Sequence, residues 1–236
     1  MSTDWYITLE RLSELYIMTK IPKRREVKNL MSKSINVFRG RKALDEITYT
    51  ESPLEADLCY HFEYDPQIIS YQAQPLSFEY FFEGTTHTYS PDFEVYYDDG
   101  TISYVEVKHV ADIARIENFN EWEKAVRKTA SKHGKGFIVL KEDFIRQQPL
   151  YENLLNLWSS VEIEIDKEFL SHLITVLDQK HETSISDLMT DEFLDQEFEQ
   201  IYRLIFERKL VASLTQDFLS KSTSVKHSGE SYDCYL

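Results

Sequence analysis

The chain reads as α/β: a mixed sheet flanked by helices, followed by a smaller, helix-rich unit. Three observations predict this. Between residues 52 and 140, helical stretches enclose several strand-like runs bounded by Gly and Asp turn signals. The run Gly-Phe-Ile-Val-Leu at 136–140 is apolar throughout, as in a strand buried on both faces. After Pro149 the chain turns helical and acidic, and its order of helix, short helix, helix, strand is that of a winged helix.

The elements follow in order. Leu9, Leu12, Leu15 and Tyr16 give residues 4–18 a helical spacing. Residues 22–50 are basic and irregular, with a loop-like Phe-Arg-Gly-Arg-Lys around Gly40. A helix is predicted from Ser52 to Tyr64. Ser52 is its N-cap, Pro53 suits the first position, and Glu55 stands three after the cap, as in a capping box. Strands are predicted at 68–72, 76–82, 93–97 and 102–108, with turns at Glu83-Gly84 and Asp98-Asp99-Gly100. A polar helix over 116–132 closes at His133-Gly134 and precedes the strand at 136–140. Beyond it lie predicted helices at 169–177, 185–189 and 193–206 and a strand-like run at 209–214. Trp158 is expected to pack between the two units. The expected division is 1–149 for the α/β domain, 150–220 for the winged-helix-like domain and 221–236 for a flexible, Ser-rich tail.

No run of eighteen apolar residues exists, and the start lacks a basic-then-apolar leader, so a cytoplasmic setting is expected. Cys59 and Cys234 form no metal-binding pattern. The net charge of −15 argues against free-standing nucleic-acid binding, which needs clustered Lys and Arg. The charge is polarised, however. Lys20, Lys23, Arg24, Arg25, Lys28, Lys33, Arg39, Arg41 and Lys42 face a single acid, Glu26, in the segment 20–42, whereas 17 acids oppose 7 bases from Leu150 onward. Arg39, Arg41 and Lys42 are therefore the candidate DNA contacts. A solvated loop is the plainer reading of that segment.

The chemistry lies in Ser-Pro-Asp-Phe-Glu-Val-Tyr-Tyr-Asp-Asp-Gly-Thr-Ile-Ser-Tyr-Val-Glu-Val-Lys-His, 90–109. Alternate strand residues share a face, so Glu106 and Lys108 point together and Val107 points to the core. The turn folds 93–97 back on 102–108 and brings Asp92 towards Lys108. A hard cation such as Mg2+ takes one or two carboxylates, waters and a substrate phosphate. Asp92 and Glu106 supply carboxylates, the Val107 carbonyl adds a ligand, and Lys108 sits beside the metal. Metal-activated water attacking phosphorus is a route to phosphodiester cleavage. An exposed hairpin whose charges merely pair would use the same residues. Glu55 would point to the same cleft, or would only cap its own helix.

A helix Glu, then Pro-Asp, then Glu-x-Lys in this order resembles the PD-(D/E)xK, restriction-endonuclease-like nucleases. More closely, Ser52-Pro53-Leu54-Glu55, Gln74-Pro75, Ser90-Pro91-Asp92-Phe93 and Val107-Lys108 resemble the TnsA family, the end-cutting endonucleases of Tns-type, including CRISPR-associated, cut-and-paste transposons. The resemblance extends over about 39–140. It implies a restriction-endonuclease-like fold with Glu55, Asp92 and Lys108 catalytic. Asp92, Glu106, the Val107 carbonyl and Glu55 would hold one or two Mg2+ or Mn2+ ions. Gln74, and Glu121 or Glu123 on the following helix, would be auxiliary. It implies hydrolysis of the non-transferred strand at the 5′ ends of the transposon. The implied partners are transposon-end DNA, a DDE-type strand-transfer subunit (TnsB-like) and an AAA+ ATPase regulator (TnsC-like), with a bacterial, nucleoid-associated location. A solitary restriction or repair nuclease and a non-catalytic adaptor are the alternatives. The acids Asp191, Glu192, Asp195, Glu197 and Glu199 at the start of the third C-terminal helix would repel DNA, so that domain is expected to dock protein. Stabilisation by the helix dipole is the alternative.

Overall fold

In a computed structural model, residues 35–190 and 195–228 are described. The expected N-terminal helix, the basic residues before 35, Asp191, Glu192 and Cys234 lie outside them.

The chain begins with a small antiparallel pair, β1 (Asn36–Phe38) and β2 (Thr48–Thr50). Between them, Gly40 lets the backbone pass Tyr71 and Glu63. A Cβ there would come within 2.2 Å of the Tyr71 hydroxyl and 2.3 Å of Glu63 Oε1. Helix α1 (Pro53–Tyr64) starts as its residues predict: the Ser52 hydroxyl accepts the Glu55 N–H at 3.2 Å, and Pro53 occupies the first turn.

Strands β3 (Ile68–Ala73), β4 (Phe78–Phe82), β5 (Thr85–Tyr89), β6 (Phe93–Tyr97) and β7 (Ile102–Lys108) follow. The first strand beyond α1 joins the central sheet, but β4 and β5 form a separate hairpin. The strand β5 was not anticipated; its sequence Thr-Thr-His-Thr-Tyr is exposed but for Tyr89 and carries no apolar alternation. Short α2 (Val110–Ile113) leads to α3 (Phe119–Lys132) and β8 (Gly136–Lys141). The central sheet has the order β3-β6-β7-β8, with β8 parallel to β7 and the other pairs antiparallel. Gly100, at φ 81°, makes the β6–β7 turn.

The period-2 alternation of β7 divides the interior. Val105 and Val107 pack on the side of Leu54, Leu58 and Phe62 of α1, with Phe93 and Val95. Tyr104 packs on the other side with Val126 and Ala130 of α3, and with Phe78, Tyr89 and Phe137. The α/β mixed sheet is thus covered by helices on both faces, consistent with a restriction-endonuclease-like fold.

Beyond it come α4 (Glu142–Ile145), α5 (Leu150–Ser159), α6 (Lys167–Gln179), β9 (Glu182–Ser184), α7 (Ile185–Leu188), α8 (Asp195–Phe206), β10 (Leu210–Val211) and β11 (Ser224–His227). The last strand lies between β10 and β9 in an antiparallel sheet. Residues 224–227, within the expected flexible tail from 221, form this strand. Val225 is buried, and Ser224 Oγ donates to Glu182 Oε1 at 2.6 Å, so the Ser-rich composition conceals a strand. Leu150, Leu154 and Leu157 of α5 bury against Ile201, Leu204 and Ile205 of α8. Trp158 does pack between the two parts, 5.2 Å from the Phe38 ring and 5.6 Å from Phe206. Among the described residues no helix is long and apolar enough to cross a membrane.

Candidate active site

Asp92 lies in the bend entering β6, one residue beyond the last β6–β7 pair, Phe93 with Val105. Its side chain continues the ladder in place of its backbone: Asp92 Oδ2 accepts the Val107 N–H at 2.8 Å. Pro91 helps set this bend, since it restricts Ser90 to extended backbone. Glu106 is buried and Lys108 half-buried. Lys108 Nζ donates to Glu106 Oε1. The second oxygen, Glu106 Oε2, accepts the Tyr89 hydroxyl at 2.5 Å. Asp92, Glu106, Val107 and Lys108 are thus brought together.

Glu55 is buried and engaged at its own helix start. Its Oε1 accepts the Ser52 hydroxyl at 2.8 Å and its Oε2 accepts the Glu51 N–H at 2.8 Å. It caps its helix, as one of the two readings had it, yet its charge reaches the strand acids. Burial, and then the Glu106 and Glu55 charges, push the Asp92 carboxyl well above its ordinary range. Burial raises Glu55 too, against its two hydrogen bonds and with the charges of Glu51 and Glu106 adding to the rise. Burial opposes the charge on Lys108, but Glu106 and Asp92 prevail and the net shift is upward. Burial and then Glu106 hold the Tyr89 phenol far above its usual value, so it stays a donor.

Gln74 is buried beside this cluster, and its N–H donates to the Asp92 carbonyl at 2.8 Å. Its φ of 48° is left-handed, a strained backbone for a residue with a side chain. Glu123 is committed to Arg127 at 2.5 Å, and Glu121 is exposed; neither touches the Asp92 cluster. His109 pairs with Glu142 at 2.9 Å. Of the candidate DNA contacts, Arg39 is exposed. Arg41 instead binds Glu162 at 2.8 Å and the Val161 carbonyl at 2.6 Å. Lys42 turns inward to the Phe62 and Asp65 carbonyls at 3.0 and 2.5 Å, and burial lowers its pKa to about 8 despite Glu63 and Asp65. Tyr89 is the residue that motif reading passed over. Its place three residues before Asp92 was the available signal.

Among the described residues, no three His, Cys, Asp or Glu side chains are gathered closely enough to hold a metal by themselves. The donor set still fits a hard cation. The charges of Glu55, Asp92 and Glu106 influence one another, and among the described residues Asp92 Oδ1 takes no hydrogen bond. Mg2+ uses one or two carboxylates and keeps water.

Residues 65–142 match the family described as TnsA-like endonuclease N terminal. The matched stretch contains Gln74, Tyr89, Asp92, Glu106 and Lys108, and stops short of Glu55. No curated protein gives a significant match. Residues 65–142 are therefore similar to a TnsA-like endonuclease N-terminal domain, a likeness that supports a TnsA-family endonuclease.

Proposed function

We propose that this nuclease is the DNA-cutting subunit of a heteromeric transposase, hydrolysing the non-transferred strand at the 5′ ends of a Tns-type transposon. The observation that carries the chemistry is the convergence of Asp92, Glu106 and Lys108 at one end of the β6–β7 pair. Asp92 and Glu106 would hold one or two Mg2+ or Mn2+ ions, with the Val107 carbonyl beside them and Glu55 adding negative field from its helix. A bound divalent cation would supply charge for the scissile phosphate and acidify a water. Lys108 does the remaining local work: it offsets charge on Glu106 and presents an ammonium to an incoming phosphate. Gln74 fixes the loop behind Asp92.

Partner dependence follows from the charge placement. Arg41 is engaged by Glu162 and the Val161 carbonyl at the surface, Lys42 turns inward, and the net charge is −15. Such a chain holds DNA poorly by itself. We assign transposon-end DNA, a DDE-type strand-transfer subunit (TnsB-like) and an AAA+ regulator (TnsC-like) as partners, in a cytoplasmic, nucleoid-associated setting. The domain proposal is 1–149 for catalysis and a winged-helix-like unit from 150. Its support is the order α6, β9, α7, α8, β10, β11. Asp195 and Glu199 on α8 are exposed, which favours docking to protein over reading DNA there.

The test is cleavage of a transposon-end duplex with and without the strand-transfer subunit. Cutting at the 5′ ends only with the partner, and lost in Lys108→Ala, is expected. Equal cutting of unrelated duplexes by the purified chain alone would favour a solitary nuclease.

A further inference from the structure

Tyr89 stands outside the motif residues and outside the central sheet, on the β4–β5 hairpin. Its ring is enclosed by other aromatics: Phe78 at 5.3 Å, Tyr80 at 6.1 Å, Trp122 at 5.8 Å and Phe137 at 5.9 Å, contributed by β4, α3 and β8. Only the hydroxyl leaves this packing, and it ends on Glu106 Oε2. The other Glu106 oxygen meets Lys108. Trp122 Nε1 donates to the Tyr80 hydroxyl at 3.1 Å, tying α3 to the same hairpin.

We infer that Tyr89 is a positioning residue: its hydroxyl fixes one oxygen of Glu106 and so aims the other, with Lys108, at the place a divalent cation would take. The inference rests on the proposed metal-dependent reading. Its physical basis is that outer hydrogen bonds orient a ligating carboxylate, and that a ring packed on several sides gives its hydroxyl little freedom. Glu106 thereby gains a direction that its own strand does not impose.

The experiment titrates the full-length chain with Mn2+ and reads free Mn2+ by its paramagnetic resonance signal, with folding followed by near-ultraviolet circular dichroism. Tyr89→Phe should weaken Mn2+ binding by about tenfold. Trp122→Phe, which disturbs the same packing and spares the hydroxyl, should bind as the parent does. In a Glu106→Gln background, adding Tyr89→Phe should cause no further loss. Parent-like affinity in Tyr89→Phe would overturn the inference and leave the metal reading intact. So would an equal loss in Trp122→Phe, or an unfolded Tyr89→Phe, since each makes the bond part of packing. Absence of Mn2+ binding by the parent would instead remove the metal reading itself, and this inference with it.

Discussion

The Asp92 carboxylate holds the backbone N–H of Val107, the residue between Glu106 and Lys108, at 2.8 Å. One bond therefore sets the position of one candidate ligand relative to the other and to the lysine. Asparagine retains a carbonyl oxygen that can accept this N–H; alanine does not. Asp92→Asn should keep its urea midpoint near that of the parent while losing DNA cleavage. Asp92→Ala should lose cleavage and also about 1–3 kcal/mol of stability, the cost of a buried unsatisfied donor. Urea denaturation of both variants distinguishes these effects.

Lys108 donates to Glu106 and lies half-buried at the end of β7. A preorganised cation aimed at developing charge contributes about 10²–10³-fold to rate. Lys108→Ala should reduce partner-dependent cleavage within that range while leaving Mn2+ affinity equal or higher, because Glu106 is freed from its ion pair. Parallel rate and Mn2+ measurements test this.

His61 is buried in α1 with Nε2 donating to the Ile145 carbonyl at 2.8 Å. Burial lowers its pKa from 6.5 to about 4, against the Ile145 bond and the Asp57 charge. The folded state thus favours neutral His61, and the unfolded chain takes the proton first as the pH falls. Its stability contribution is whole above 6.5 and is lost between 6.5 and about 4. The size is about 3 kcal/mol over that window. Urea midpoints at pH 7 and pH 5 should show the loss, and His61→Gln should flatten it.

Asn153 is fully buried and spends its side chain on the loop after β10. Its Nδ2 donates to the Leu214 and Asp217 carbonyls at 2.9 Å each, and its Oδ1 accepts the Leu219 N–H at 2.8 Å. Asn153→Ala should cost about 2–4 kcal/mol, since two buried backbone groups, of Leu214 and Leu219, and the part-buried Asp217 carbonyl lose their partner. Hydrogen exchange should rise first in residues 214–219, with Mn2+ affinity unchanged under native conditions.

The central sheet and its helices were legible because local signals agreed with the tertiary outcome. The capping residues of α1, the Gly100 turn and the alternation in β7 each led to the element observed. The convergence of Asp92, Glu106 and Lys108 was legible from spacing on a hairpin. What escaped depended on contacts between distant segments. Strand β5 has no apolar period, and its one buried residue, Tyr89, acquires meaning only when its hairpin is laid against Glu106. Strand β11 is short and Ser-rich, with Val225 alone to mark its buried side. Lys42 looked like part of a basic surface because composition does not reveal that α1 ends within its reach.

The most direct test of the account measures Mg2+-dependent nicking of a 5′ transposon end by the chain together with its strand-transfer partner, comparing parent and Asp92→Asn. The account predicts nicking by the parent that EDTA abolishes and Mg2+ restores, and none by the folded variant. Nicking that persists in EDTA, or that Asp92→Asn performs at the parental rate, would contradict it.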